Sequence, residues 1–551
     1  MFVCRRLILL ATLFTAGPLT AAEEPYDVVF RGGRIVDGTG NPWFVGDVAI
    51  RGDKIVAVGR ALPGPAKREI DAKGLVVAPG FIDIHSHSDL LLLEDGNAPS
   101  KVRQGVTTEV LGEGQSVAPH PGAGPSSGPQ TRFPRLSDYF TKLEQSKTAV
   151  NVASYVGLDN VWQGVMGASF DRPTAEQFAK MKAITDAAMT DGAFGLSSLL
   201  AMPPGSLATT DDIADICTVV AKHKGIFSSH IRNEGSEVFA AVKEAIAVGE
   251  KAGVPVDIIH LKIADEKYWG RMNELVALIE AARKRGVNVQ ANVYPYTRGN
   301  NNLASIIPPW AHEGGNAKML ARLKDPEQRA KLKKDIRDGL PGWYNHYTAV
   351  GGDWGRMLIS DKGKYEGLTM DRVLAARAKD KSPPPDQLDM LFDILIEERG
   401  SVSTVYEHHT TKDMTLALAQ PWCSIGSDGA AYATDGPLRR GSPHPRNFGT
   451  FPRVLGVYAR DLGVLRLEDA VRKMTSLNAA KIGLTDRGLL RPGQFADVTV
   501  FDPATVIDKS TYEKPFQYPE GIAFVMCNGR LTLDQGKPTG DKPGRALRHG
   551  K

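Results

Sequence analysis

Apolar positions along the chain change their rhythm three times, and each change predicts a different kind of structure. From Tyr26 to Ala78 they come in short runs, "YDVVFRGGRIVDGTG", "GDVAIRGDKIVAVG" and "KGLVVAP", cut by Gly-Gly, Gly-Thr-Gly and Gly-Asp-Lys turns. Val/Ile runs bounded by such turns predict strands. The same texture returns in "RPGQFADVTVFDPATV" and "IAFVMCNGRLTLDQGKPTG". The two chain ends, residues 23–79 and 488–545, are therefore expected to close one small β-sandwich domain around a long middle segment.

That middle segment, residues 80–487, alternates two patterns. The runs "FIDIHSH", "TTEVLGE", "NVASYVG", "AFGLSS", "IFSSHIR", "VDIIHLK", "VNVQANVYPY" and "CSIGSD" predict strands. Stretches such as "TAEQFAKMKAITDAAMTDG", "EVFAAVKEAIAVGEKAG" and "MNELVALIEAARKRG" predict helices, each ending on a glycine suited to a helix C-terminus. Repeated β-then-α units predict a parallel sheet with helices outside, and eight strands predict a closed TIM barrel. A doubly wound open sheet is the alternative for the same alternation. Between Tyr296 and about Gly400 the repeat fails, and Pro and Trp clusters ("IIPPWAHEGG", "LPGWYNHY", "DKSPPPDQ") mix with charged helices. Residues 300–400 are expected to be an insertion after strand seven, in which "SVSTVYEHH" can add a strand. "APHPGAGPSSGPQ" reads as a long surface loop.

The first residues stand apart. In "MFVCRRLILLATLFTAGPLTAAEEPYD", Arg5 and Arg6 precede an apolar stretch and then small residues. This predicts a secretory signal over residues 1–22, cleaved near Ala22. Gly17 and Pro18 interrupt the apolar stretch, which is too short to span a membrane comfortably. The mature protein is thus expected to be secreted, into the periplasm, with no stable membrane span. Composition narrows the class further. With 551 residues, 42% hydrophobic and 24% charged, the chain is globular, neither disordered nor a multi-pass membrane protein. Its net charge of +4 comes from scattered Lys and Arg, so no nucleic-acid partner is expected. Cys217, Cys423 and Cys527 follow the signal and form no close pair, so no disulfide framework is expected. Cys423 falls within the last barrel strand, as a small buried apolar residue would.

Chemistry enters through the strand ends, because TIM barrels carry catalytic groups at the C-terminal ends of their strands. "APGFIDIHSHSDLLL" places Asp83, His85 and His87 on one face of a strand. Strand two ends with Glu113, strand five with His230, strand six with His260 and then Lys262, and strand eight with Asp428. Metal-ligating residue types finish five of eight strands in a chain with 12 histidines, which points to a divalent metal. Imidazole and carboxylate suit zinc. Taken alone, the two histidines of "HSH" can equally be a hydrogen-bonded pair. About 6.6 Å apart along an ideal strand, they share an ion only if the strand end bends or the rings lean together. Four histidines and two carboxylates exceed one tetrahedral site. They suit two ions bridged by a shared carboxylate, or one ion with a weaker second site. His408 and His409 can extend such a site or belong to the insertion, and His120, His223, His312 and His346 carry no pattern.

The chain resembles the amidohydrolase superfamily, and within it the D-aminoacylase or N-acyl-D-amino-acid deacylase family. The resemblance runs from about Tyr26 to Gly540, through "PGFIDIHSHSD", "VRQGVTTEVLGEGQS", "FSSHIRNEG", "IIHLKIA", "ANVYPY", "SIGSDG", "PHPRNFGTFPRVLG" and "MTSLNAAKIGLTDRGLLRPGQFADVTVFDP". It implies that His85 and His87 hold one metal position with Asp428 beside it, that His230 and His260 hold the other, and that one or two zinc ions bind. Where the family commonly offers a cysteine in a "GNCG"-like turn, this chain has "GEGQ", with Glu113 as the nearby ligand. Lys262, Tyr294 and Arg446 resemble positions that hold the substrate carboxylate. An ordinary surface salt bridge is the alternative for the two cations, and a strand-end turn for "YPY". In "GLSSLLAMPPGSLA", Leu199 and Met202 stand where the family often has Gly and Tyr, which implies a more apolar pocket with one hydroxyl fewer. The implied activity is zinc-dependent hydrolysis of the amide of a small N-acyl-D-amino acid, with Asp428 moving the proton. The products are a carboxylic acid and a free D-amino acid. A D-aminoacyl dipeptidase and a cyclic-amide hydrolase share the scaffold. A non-catalytic binding protein on it is the alternative from another class.

Overall fold

The computed structural model describes residues 24–120, 132–361 and 363–550. The expected signal segment, residues 1–22, and most of the "APHPGAGPSSGPQ" loop lie outside the described residues.

Strands from both chain ends form one sheet of nine strands. Tyr26–Ile35 pairs antiparallel with Phe44–Arg51 and parallel with Val76–Pro79. Val76–Pro79 in turn pairs antiparallel with Val498–Phe501, through Ala78 and Thr499, and Ile522–Cys527 and Arg530–Asp534 follow. The strands of the expected sandwich thus belong to one hydrogen-bonded sheet, with Ala66–Asp71 branching off its main path beside Tyr26–Ile35. The reason is Val76–Pro79, which pairs on one edge with the N-terminal strands and on the other with the C-terminal ones. Phe30, Ile50, Val77, Val498, Val500 and Met526 pack together as its core.

Past Gly80 the chain builds a parallel barrel. Its strands are Phe81–Asp83, Val106–Leu111, Asn151–Ser154 continuing as Val156–Gly157, Gly195–Leu199, Ile226–His230, Val256–Ile258, Val289–Val293 and Cys423–Ile425. Neighbours in sequence are neighbours in space. Strand three changes partner at Tyr155, pairing first with strand two and then with strand four. Strands one and eight join just beyond their ends, through a parallel bridge between Ser86 and Gly429. His87 N–H donates to Gly429 O (2.9 Å) and Asp428 N–H to His85 O (2.8 Å). This seam closes the cylinder and excludes the open sheet. It also falls on the residues that carry His85, His87 and Asp428.

The outer helices follow the sequence closely. Ala175–Asp191 starts with a capping box between Thr174 and Gln177 and stops at Gly192 in the left-handed conformation. Val238–Ala252 stops likewise at Gly253, while Met272–Lys284 is capped by Arg285, one residue before its expected glycine. Between strands seven and eight, Arg298–Asn302, Ser403–Glu407 and Met357–Ile359 form a separate antiparallel sheet. With the surrounding helices it packs a core of its own that includes Leu303, Leu391, Phe392 and Tyr406. The "SVSTVYEHH" stretch is the central strand of that sheet, so it adds nothing to the barrel.

Cys217, Cys423 and Cys527 are buried and free. Among the described residues no helix is long and apolar enough to cross a membrane. The C-terminal tail returns to the barrel: Gly544 N–H donates to Thr148 O (2.7 Å), Ala546 bridges Val152, and His549 N–H reaches Gly192 O (3.0 Å).

Candidate metal centre

Five barrel strands deliver six ligand-type side chains to one mouth. Strand two ends at Leu111, and Glu113 rides on the turn beyond it, between Gly112 (φ +95) and Gly114 (φ +54). A Cβ on Gly114 would stand 2.4 Å from that of Leu199, so only glycine lets the turn lie against strand four. This turn aims the Glu113 carboxylate into the mouth, with one oxygen on each side. Oε2 lies 2.8 Å from His85 Nε2 and 3.2 Å from His87 Nε2. Oε1 lies 2.9 Å from His230 Nδ1 and 3.7 Å from His260 Nε2. Asp428 closes the first group, with Oδ1 3.0 Å from His87 Nε2 and 3.7 Å from His85 Nε2. Within each group, His85–His87–Glu113–Asp428 and Glu113–His230–His260, the ligand atoms lie within 4.8 Å of one another.

Strand one ends at Asp83, so His85 and His87 sit on the segment after it. There the rings lean together, to centroids 5.0 Å apart, closer than an ideal strand allows. Asp83 shares their face but not their site. It accepts from Lys101 Nζ (2.7 Å), Ser427 N–H (2.8 Å) and Ser427 Oγ (2.5 Å), stitching strand one to strand eight.

The donor set fits divalent metal. Four imidazoles converge on two buried carboxylates at 2.8–3.9 Å, with the ligand atoms clustered as a bound ion would need them. Hard-to-borderline N and O ligands of this kind suit zinc. The charges agree. Burial works to raise the Glu113 carboxyl, yet the charge of His85 and hydrogen bonds from His230, His85 and His87 hold it well below the usual carboxylate range. Burial likewise opposes ionisation of Asp428, and Arg446 and His85 outweigh it. Burial and the Lys262 ammonium push His260 down to about 4. Against burial, the Asp428 and Glu113 carboxylates raise His87 to about 10 and the Glu234 and Glu113 carboxylates raise His230, so a metal there would displace a proton from those two rings. His260 (φ +38) and Asp428 (φ +50) both hold the left-handed conformation, a strain of about 1–3 kcal/mol each that clusters at functional sites.

One functional residue was not visible in the sequence. Glu234, four positions after His230, is buried and accepts from Lys262 Nζ (2.5 Å), with an oxygen 3.0 Å from His260 Nδ1. The same nitrogen lies 2.8 Å from Lys262 Nζ, so Glu234 and Lys262 together hold the His260 ring in its aim. The only local signal was its spacing from His230 in "SSHIRNEG".

Lys262, Tyr294 and Arg446 come together beside the cluster. The Tyr294 ring lies 5.8 Å from Lys262 Nζ and 4.8 Å from the Arg446 guanidinium carbon. Neither cation makes an ordinary surface pair: Lys262 is buried against Glu234, and Arg446 against Asp428 Oδ2 (2.7 Å). A cavity of 1170 Å³ opens from the ligands toward the lobe between strands seven and eight. Leu199 lines it, and Met202 is not among its lining residues. His408 and His409 are buried behind Tyr294, with His409 Nε2 donating to Tyr296 O (2.8 Å).

Residues 68–533 match the model of the Amidohydrolase family. The chain is 36% identical over 536 residues to a D-aminoacylase of Alcaligenes xylosoxydans xylosoxydans, covering 95% of this chain and 98% of that one. It is 34% identical over 533 residues to an N-acyl-D-glutamate deacylase of the same organism, covering 96% and 97%. The crystal structure of N-acyl-D-glutamate deacylase from Bordetella bronchiseptica, complexed with zinc and a phosphonate mimic of the tetrahedral intermediate, matches with a TM-score of 0.79 at 31% identity. The match covers 95% of this chain and 100% of that chain.

Proposed function

The chain belongs to the amidohydrolase family, and from that premise we propose that it is a zinc-dependent N-acyl-D-amino-acid deacylase. It cleaves the amide of a small N-acyl-D-amino acid into a carboxylic acid and a free D-amino acid. The observation that carries this reading is Glu113, whose two oxygens face two separate histidine pairs with Asp428 alongside.

His85, His87 and Asp428 hold one metal position, His230 and His260 the other, and Glu113 lies between them. When bound, zinc supplies a Lewis acid for the amide carbonyl and lowers the pKa of its water toward about 7. Asp428, kept ionised by Arg446, accepts the proton of the attacking water and returns it to the leaving nitrogen. Lys262, Tyr294 and Arg446 hold the substrate carboxylate by charge-assisted hydrogen bonds. That carboxylate joins the Lys262–Glu234 and Arg446–Asp428 pairs, so its arrival is felt at His260 and at the proton carrier.

The test is hydrolysis of paired N-acetyl-D- and N-acetyl-L-amino acids by zinc-loaded protein, with metal analysis. Turnover of the D-forms alone is expected. Equal rates on the L-forms would end the stereochemical assignment, and no turnover of either would end the activity itself. We also propose export to the periplasm on the strength of residues 1–22, checked by N-terminal sequencing of the periplasmic protein.

A further inference from the structure

Arg446 has two duties in the proposed reaction, to keep Asp428 ionised and to meet the substrate carboxylate, yet no barrel strand carries it. It is the first residue of a helix, Arg446–Arg453, 18 positions past Asp428. Among the described residues its guanidinium makes one hydrogen bond, from Nη1 to Asp428, and its Nε is buried without a partner. The aim of the side chain therefore depends on where the start of that helix is held.

His444, two positions earlier and buried, holds it. The Arg446 N–H donates to His444 Nδ1 (3.0 Å). A backbone N–H can only donate, so this nitrogen carries no proton. The ring proton then sits on Nε2, which donates to Arg298 O (2.9 Å). Burial and the Arg446 charge hold the ring well below the usual imidazole range, in keeping with that single tautomer. Three aromatic rings meet it edge-on, Tyr294, Tyr296 and Tyr512, with centroids 6.2, 5.4 and 5.0 Å away. Asn447 adds a second clasp. Its Nδ2 donates to His444 O (2.7 Å), and its Oδ1 accepts from Ala430 N–H (2.6 Å), two residues beyond Asp428. The turn His444–Asn447 is thus tied to the end of strand eight on one side. On the other, the His444 ring ties it to the segment that carries Tyr294 and Arg298.

We propose that His444 is a positioning residue: through Nδ1 it fixes the backbone of Arg446 and so sets the guanidinium between Asp428 and the substrate carboxylate. Without that bond the guanidinium keeps its charge and loses its angle, and a planar fork of donors binds a carboxylate well only at the right angle. This inference rests on the deacylase reading and deepens it.

The experiment takes the N-acetyl-D-amino acid turned over fastest in the panel above and its primary amide, which lacks the carboxylate. It compares kcat/KM for the two with zinc-loaded wild type and with His444→Asn, His444→Gln and His444→Leu. An asparagine oxygen reaches an N–H two residues on, as in an Asx turn, whereas glutamine is one carbon too long for that bond and leucine has no acceptor. Wild type should favour the acid about 10- to 100-fold, the worth of hydrogen bonds to a charged group. His444→Gln and His444→Leu should shrink that preference by about tenfold with zinc content unchanged, and His444→Asn should keep it within about threefold. If the leucine variant does not fold, the asparagine and glutamine variants decide. A preference unchanged in His444→Gln and His444→Leu, or lost equally in His444→Asn, would overturn the proposal and leave the deacylase intact. A wild type without the preference would overturn it together with the carboxylate anchor. No turnover anywhere in the panel would remove the deacylase reading itself.

Discussion

Two groups of buried charges occupy this barrel, and they are completed by different partners. In the interior Lys101 donates to Asp83 (2.7 Å), Ser427 (2.9 Å) and Gly429 O (3.0 Å). Lys481 donates to Asp257 (2.5 Å) and Ala291 O (2.6 Å), and Asn292 supplies a further donor to Asp257 (2.8 Å). Both lysines are buried and matched entirely by protein. At the mouth, four imidazoles and two carboxylates crowd within ligand distance of one another, with Glu113 common to both groups. The interior group is an internal fastening, because a buried charge is tolerated only when paired. The mouth group is a socket whose last partner comes from solution. Damage to the first should cost folding, and damage to the second should cost ligand and turnover.

The largest effect that can break this contrast is at Asp428. Asp428→Asn should lower kcat roughly 10²- to 10⁴-fold with little change in melting temperature. An unfolded variant would place Asp428 with the fastenings instead. Lys101→Met should do the reverse, destabilising by about 3–5 kcal/mol because Asp83 is left buried and unpaired. Urea unfolding measures this, and kcat of the folded fraction should hold. Glu234→Gln sharpens the boundary between the groups. It should weaken zinc affinity about 10- to 100-fold by competition with a chelator, and also lower the unfolding midpoint, because Lys262 is left buried without its carboxylate partner. A large midpoint shift with unchanged zinc affinity would make Glu234 purely structural.

The last expected effect is electrostatic. Asp159 opens the helix Leu158–Met166 and its N–H holds Gly114 O (3.0 Å), beneath the Glu113 turn. Burial, and then the Glu113 charge, push its carboxyl up to about 8. A folded pKa above the unfolded value of about 3.9 means the folded state binds the proton more tightly. The contribution of Asp159 to stability is therefore full below about pH 4 and drains away as pH rises through 8. Asp159→Asn should flatten the fall in melting temperature across that window, and parallel curves for the two proteins would clear Asp159 of any part in it.

The sequence carried the ligands because residue type and strand-end position are both local signals. His85, His87, His230, His260 and Asp428 each finish a recognisable apolar run. Glu113 was legible for the same reason, although its aim depends on Gly112 and Gly114, which lie in left-handed turns against Tyr155 and Leu199 respectively. What the sequence withheld was pairing between distant segments. Nothing local links Lys101 to Asp83 and Ser427, or Glu234 to Lys262 and His260. The same limit explains the nine-strand sheet, since the double pairing of Val76–Pro79 is invisible in its own four residues.

That double pairing sets an order of events in time. One edge of Val76–Pro79 has no partner until Val498–Phe501, far later in the chain, has been made. A nascent chain arranged this way keeps that edge of its sheet exposed until the distant strand is added.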